Sequence, residues 1–216
     1  MMHELVVLKQ CREDKDGTEI RAVIPEKHIA EMLVRKKISK AEIRFDDGRH
    51  ISAEQRKKAY ATIRDIADYT GYPWPIRWGK PEEMKEIMKY EHMIRTGDGY
   101  FSLSNCSMDV AREFINTILE FAIQNGIQLS ENAIERTDDI GRYLYFCLKN
   151  RKCAVCGRDG EIHHVDTIGM GNDRRKVDDS NYRKICLCRT HHTIAHQKGM
   201  DAFQRDYKVY GIVVKD

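Results

Sequence analysis

Near the end of the chain, Cys153-Ala154-Val155-Cys156-Gly157 sets two thiols two residues apart, and Cys188-Arg189-Thr190-His191 repeats the spacing with one thiol and one imidazole. Ligands spaced this way can wrap one side of a tetrahedral ion, and a glycine after the first pair eases the tight turn. Two such pairs within 39 residues make a Cys3His set, suited to a structural zinc. Buried free thiols would not require matched pairs. Cys186 is a rival ligand, but if Ile185-Cys186-Leu187-Cys188 is a strand it points away from Cys188 and reads as core.

Histidines lie between and after these pairs. Glu161-Ile162-His163-His164-Val165 alternates as a short strand does, so its two imidazoles face opposite ways. They cannot both hold one ion without a local twist, which favours one ligand and one general base. Asn181 follows, then His192 and His196, whose spacing of four puts both rings on one face of a helix, as metal ligands require. Such a set suits phosphodiester hydrolysis. Imidazole titrates near neutral pH and can take a proton from water. A cation on two or three neutral imidazoles keeps open positions for phosphate oxygens and stabilises developing charge. Arg174, Arg175 and Lys176, in the intervening loop, either hold backbone phosphates or simply solvate that loop. Asp166 and Asp173 are further conceivable ligands, although loop carboxylates are ordinarily solvated.

The order His163-His164, Asn181, His192, framed by Cys-x-x-Cys before and Cys-x-x-His after, resembles the HNH (ββα-metal) nuclease family over about 60 residues. The resemblance implies that His163 and His192 bind the catalytic metal, that His164 is the general base, and that Asn181 orients it. His196 corresponds to a third ligand or phosphate contact of some members. His191 stands where the family has a last structural cysteine, a departure that touches the zinc assignment. The implied cofactors are a structural zinc and a catalytic divalent metal, with Mg or Mn expected and Zn or Ni compatible with imidazole.

The elements that must position these residues follow from periodicity. Two strands, over residues 5–8 and 19–24, flank a polar turn at 13–17; a short helix over 26–37 and a strand over 41–45 complete an initial unit. Ser52 with Gln55 forms a capping box for a helix carrying Ala59, Ile63, Ile66 and Thr70, stopped by Gly71. Residues 72–75 read as a rigid loop, and 81–95 as a helix with proline in its first turn. A short strand is predicted over 100–103. Ser107 caps an amphipathic helix with Val110, Phe114, Ile118 and Phe121 inward, ending near Gly126. A last helix, 131–149, leads into the Cys/His-rich end.

That end is compositionally distinct. From residue 151 onward there are 13 Lys and Arg against 9 Asp and Glu, with four of seven Cys and five of nine His. A basic, Cys/His-dense tail on a near-neutral body suggests two domains, residues 1–150 and 151–216, with nucleic acid as one candidate partner. No run of 18 apolar residues would span a membrane. Met1-Met2-His3-Glu4 lacks a basic-then-apolar leader, so a cytoplasmic setting with reduced thiols is expected. Cys11, Cys106 and Cys147 are expected in cores, and His3, His28, His50 and His92 at the surface or in packing.

In the body, Ile51-Ser52-Ala53-Glu54-Gln55-Arg56-Lys57-Lys58-Ala59-Tyr60, the loop to Trp78 and the following helices resemble the phage NinB/Orf recombination proteins, over about residues 40–135. This implies a DNA-binding mediator that dimerises and contacts single-strand-binding protein, acting in a host cytoplasm. Arg56, Lys57 and Lys58 are compatible with phosphate contact or a wet helix face; Tyr72, Trp74 and Trp78 with base stacking or packing. The expected fold class is α+β: an Orf-like body followed by a small zinc-containing ββα-metal domain. The expected function is a phage-type HNH DNA endonuclease of recombination or DNA processing. The alternative is a non-catalytic mediator whose zinc tail docks on DNA.

Overall fold

The computed structural model describes residues 6–25, 27–39, 48–71, 82–166 and 180–214. They form a mixed arrangement of helices and two small antiparallel sheets. Among them no helix is long and apolar enough to cross a membrane. The predicted strand at 41–45, the loop at 72–75, Trp78, Asp173 and the basic run Arg174, Arg175 and Lys176 lie outside the described residues.

Strands β1 (Val7–Asp14) and β2 (Gly17–Val23) pair with Asp14 opposite Gly17, leaving Lys15-Asp16 as a two-residue turn. The first strand thus runs past its predicted end at residue 8, and takes in Glu13 and Asp14, which polarity assigns to the turn. Cross-strand pairing supports it, as in Arg12 with Glu19 at 2.7 Å. Cys11, expected in a core, is exposed on this hairpin. Helix α1 (Ile29–Arg35) occupies the middle of its predicted span.

The body core is built by α2 (Ala53–Thr70), α3 (Glu82–Thr96) and α4 (Met108–Gln124). Ser52 and Gln55 form both bonds of the capping box, at 3.0 and 3.1 Å, and Gly71 ends α2 in the left-handed region. Ala59, Ile63 and Ile66 meet Phe114, Ile115 and Ile118, all fully buried. Each such large side chain contributes about 1.5–3 kcal/mol of burial free energy. Buried His92 of α3 has its Nδ1 2.8 Å from Thr117 Oγ1, within hydrogen-bond reach, and its Nε2 lies 3.3 Å from an Asp98 carboxylate oxygen.

Two predicted elements are replaced. Residues 100–103 form no strand; a turn begins at Leu103, held where Arg56 donates from Nε to the Leu103 carbonyl at 3.1 Å. Phe101 packs edge-on against His92 and Phe114 instead of entering a ladder. The single helix predicted over 131–149 divides into α5 (Ala133–Arg136) and α6 (Ile140–Lys149). Between them Thr137 is extended and its Oγ1 accepts from the Asp139 N–H, while Asp139 caps α6 by accepting from the Arg142 N–H, both at 3.0 Å. Short polar side chains that bond locally compete with helix continuation.

A second core joins α6 to the Cys/His-rich end. Tyr143, Leu144 and Phe146 pack with Ile185, Leu187, Phe203 and Val209. Ile123, near the end of α4, belongs to this cluster too. Strands β3 (Glu161–His164) and β4 (Lys184–Leu187) pair antiparallel, with His163 opposite Ile185 and His164 opposite Lys184. Then come α7 (Arg189–Lys198) and α8 (Met200–Tyr207), which pack together, and a last segment whose Ile212 bridges back to Lys184.

Candidate metal centres

The first centre is a turn stitched onto helix and sheet. The Cys153 N–H donates to the Arg158 carbonyl at 2.7 Å, and the Gly157 N–H to the Cys153 carbonyl at 2.8 Å. Gly157 sits at φ 71°, a left-handed conformation that disfavours a Cβ. The Ala154 N–H donates to the Cys186 carbonyl at 2.9 Å, and Tyr143 donates its hydroxyl to the Ala154 carbonyl at 2.8 Å. Cys188 is the N-cap of α7, which brings His191 one turn beyond it.

The ligand atoms of Cys153, Cys156, Cys188 and His191 lie within 4.8 Å of one another. The Sγ atoms of Cys156 and Cys188 are 3.7 Å apart, and His191 Nδ1 is 3.5 Å from Cys153 Sγ and 3.3 Å from Cys188 Sγ. A tetrahedral zinc, with bonds of about 2.3 Å to sulfur and about 2.0 Å to nitrogen, sets ligand separations of about 3.8 Å between sulfurs and about 3.5 Å between sulfur and nitrogen. The residues therefore fit zinc. Burial pushes the Cys153 thiol up to about 12. Burial also acts to raise Cys156, but the Arg158 guanidinium 3.4 Å away, with other donors, brings its pKa below the usual thiol range. Burial and the neighbouring Arg158 hold His191 below its ordinary value. Tyr207 and Phe203 of α8 back its ring at centroid distances of 5.3 and 6.4 Å. Cys186 is fully buried and stands outside the cluster.

The second centre lies between β3 and α7. His163, His192 and His196 bring their ligand nitrogens within 4.8 Å of one another. Strand and helix each contribute by periodicity: His163 faces α7, and one helical turn separates the other two. Nε2 of His192 and Nε2 of His196 are 3.1 Å apart, and the His163 ring lies 4.7 and 5.1 Å from theirs, centroid to centroid. Nδ1 of His192 lies 2.7 Å from Oε1 of Glu161. An ionised carboxylate only accepts, so Nδ1 carries the proton and Nε2 presents a lone pair. The His192 hydrogen bond holds the Glu161 carboxyl below the ordinary carboxylate range. Burial, then the neighbouring His192, His196 and His164, push His163 down to about 4, so it is neutral at physiological pH. Nitrogen lone pairs crowded this closely repel unless a cation or proton sits among them; neutral imidazoles suit a divalent cation.

The other predicted site residues are placed differently. His164 projects from the opposite face of β3, opposite Lys184. Asn181 is exposed in the turn that leads into β4. Asp166, a conceivable ligand, is engaged by Arg183 through two side-chain contacts at 2.6 and 3.0 Å and the backbone N–H at 2.7 Å. Arg56 and Lys58 are used within the body, Lys58 pairing with Asp138 at 2.6 Å. Glu161 escapes a reading by motif, although its place two residues before His163 on a strand puts both on one face.

A family model described as "Putative HNHc nuclease" matches residues 23–216. No curated protein and no solved structure matches the chain. The family match runs through α2, α3 and α4 as well as through both Cys/His clusters, so one family accounts for the helical body and the metal-ligating end together: the chain belongs to the HNHc nuclease family.

Proposed function

We propose that this protein is a metal-dependent DNA endonuclease in which His163, His192 and His196 hold the catalytic divalent cation and His164 is the general base. The observation that carries this reading is the convergence of three imidazoles from β3 and α7 in a chain of a nuclease family. A divalent ion there, Mg or Mn for preference, would stabilise charge on the phosphate and on the leaving oxygen. His164, on the next residue along β3, takes the proton of the attacking water, and Asn181 orients it from the turn before β4. Glu161 fixes the tautomer of His192. Cys153, Cys156, Cys188 and His191 hold a structural zinc that anchors the start of α7. Arg174, Arg175 and Lys176 hold backbone phosphates.

The biological setting we propose is phage recombination or DNA processing, with homodimerisation and contact to single-strand-binding protein. It rests on the resemblance of residues 40–135 to NinB/Orf proteins. The test is cleavage of plasmid and branched DNA by purified protein in EDTA, Mg or Mn, beside His164→Ala. Metal-dependent cleavage that the variant loses, with its fold and DNA binding kept, is expected. Binding without cleavage in both proteins, with about one zinc per chain, would replace the nuclease by a mediator with a docking module.

A further inference from the structure

We infer that Arg189 is a phosphate anchor, holding the nucleic-acid strand one or two nucleotides from the bond to be cut; this rests on the nuclease reading above. Helix α7 has two faces. Ala195 is fully buried and the His191 ring meets Phe203 and Tyr207, so that side is turned to the core. Arg189, His192 and His196, at spacings of three and four, share the opposite side with exposed Thr193. The helix from Arg189 to Lys198 holds no acidic residue. A polyanion laid along this face meets Arg189 in line with the imidazoles that suit a cation, with no carboxylate of the helix between them.

The spacing fits a strand of nucleic acid. The midpoint of His192 and His196 lies five residues beyond Arg189, which is about 7.5 Å along the helix axis. Phosphates of one DNA strand recur every ~3.4 Å of duplex axis. With the phosphate to be attacked at the three-histidine centre, Arg189 falls at a phosphate one or two steps along the same strand. Room is present there, because Arg189 and Thr190 stand at the rim of an open cavity of about 520 Å³.

Chemistry separates Arg189 from the other cations of that rim. Lys152 pairs with Asp159 at 2.6 Å, and Arg158 donates from Nε to Cys156 Sγ at 3.4 Å. The charge that Arg189 meets is Glu161: the His192 hydrogen bond foremost, and the Arg189 guanidinium after it, hold that carboxyl low. One Glu161 oxygen already accepts from His192 Nδ1 at 2.7 Å. A guanidinium carries five donors, more than the remaining oxygen can take up. Glu161 therefore keeps Arg189 beside the centre and leaves donors for a phosphate, which a planar fork can grip through two oxygens at once.

The test uses the full-length protein. Duplex DNA binding is followed by fluorescence anisotropy over a range of NaCl with no divalent ion added, single-turnover cleavage is measured with Mn over a range of protein concentration, and Mn affinity is read by isothermal titration. Arg189→Gln is expected to reduce the slope of log K against log[NaCl] by about 0.9. The protein concentration for half-maximal cleavage should rise by roughly 10- to 100-fold, with a smaller effect on the rate at saturating protein. Arg189→Lys should keep the slope, and Mn affinity should be the same in all three proteins. An unchanged slope in Arg189→Gln overturns the inference. So does a tenfold loss of Mn affinity, which would mean that Arg189 acts on the cation through Glu161. Wild-type protein that never cleaves would instead remove the nuclease reading, while the slope would still decide whether Arg189 meets phosphate.

Discussion

The hydrogen bond between Glu161 and His192 does work that a list of ligands omits. By holding the Nδ1 proton it leaves Nε2 as a donor atom and fixes the ring beside His196. Glu161→Gln offers His192 an amide that can either accept from Nδ1 or donate to it, so the tautomer is no longer dictated. The expected outcome is a roughly 10- to 100-fold weaker affinity for the catalytic cation, read by isothermal titration with Mn, with zinc content unchanged. Equal affinity in both proteins would reduce Glu161 to a surface acid. The residue scale is also where reading by motif ran short. Cys-x-x-Cys, Cys-x-x-His and the His192–His196 spacing are local and could be read directly. The role of Glu161 depends on which face of β3 meets α7, and that is not encoded in a spacing along the chain.

At the scale of elements, the capping box at Ser52 and the stripe of α4 were legible because each is a local rule with a strong period. The division between α5 and α6 was not. Thr137 and Asp139 are tolerable in a helix and become breakers through local bonds, the Thr137 hydroxyl to the Asp139 backbone and the Asp139 carboxylate to the Arg142 N–H. Nor was the strand at 100–103 excluded by its residues; among the described residues no strand pairs with it, and Arg56 donates to the Leu103 carbonyl. The joint between α6 and the Cys153 turn offers a direct measurement. Tyr143 is 2% exposed and its hydroxyl is donated to the Ala154 carbonyl. Tyr143→Phe leaves that carbonyl short of a donor at constant volume, and should lower stability in urea unfolding by about 1–3 kcal/mol. An unchanged midpoint would mean that water replaces the hydroxyl and that α6 does not hold the turn.

For the whole molecule, two apolar clusters meet near the end of α4, where Ile123 belongs to the cluster of α6, β4 and α8 rather than to that of α2 and α3. If the Cys3His set holds zinc, removing the ion with a strong chelator should release amide protection from residues 140–166 and 180–214 first. Amides of Ile63, Ile115 and Ile118 should stay slow, as followed by hydrogen exchange with mass spectrometry. Simultaneous loss everywhere would mean a single cooperative unit. Helix α7 carries a further implication, because His191 and His192 are consecutive yet belong to different clusters. Ions seated at the two centres would share one rigid lever and could not be titrated as strangers. Whatever factor the first ion contributes to the affinity of the second, the second must return to the first. An affinity for the catalytic cation measured on zinc-depleted protein would then describe a different molecule from the one that meets DNA.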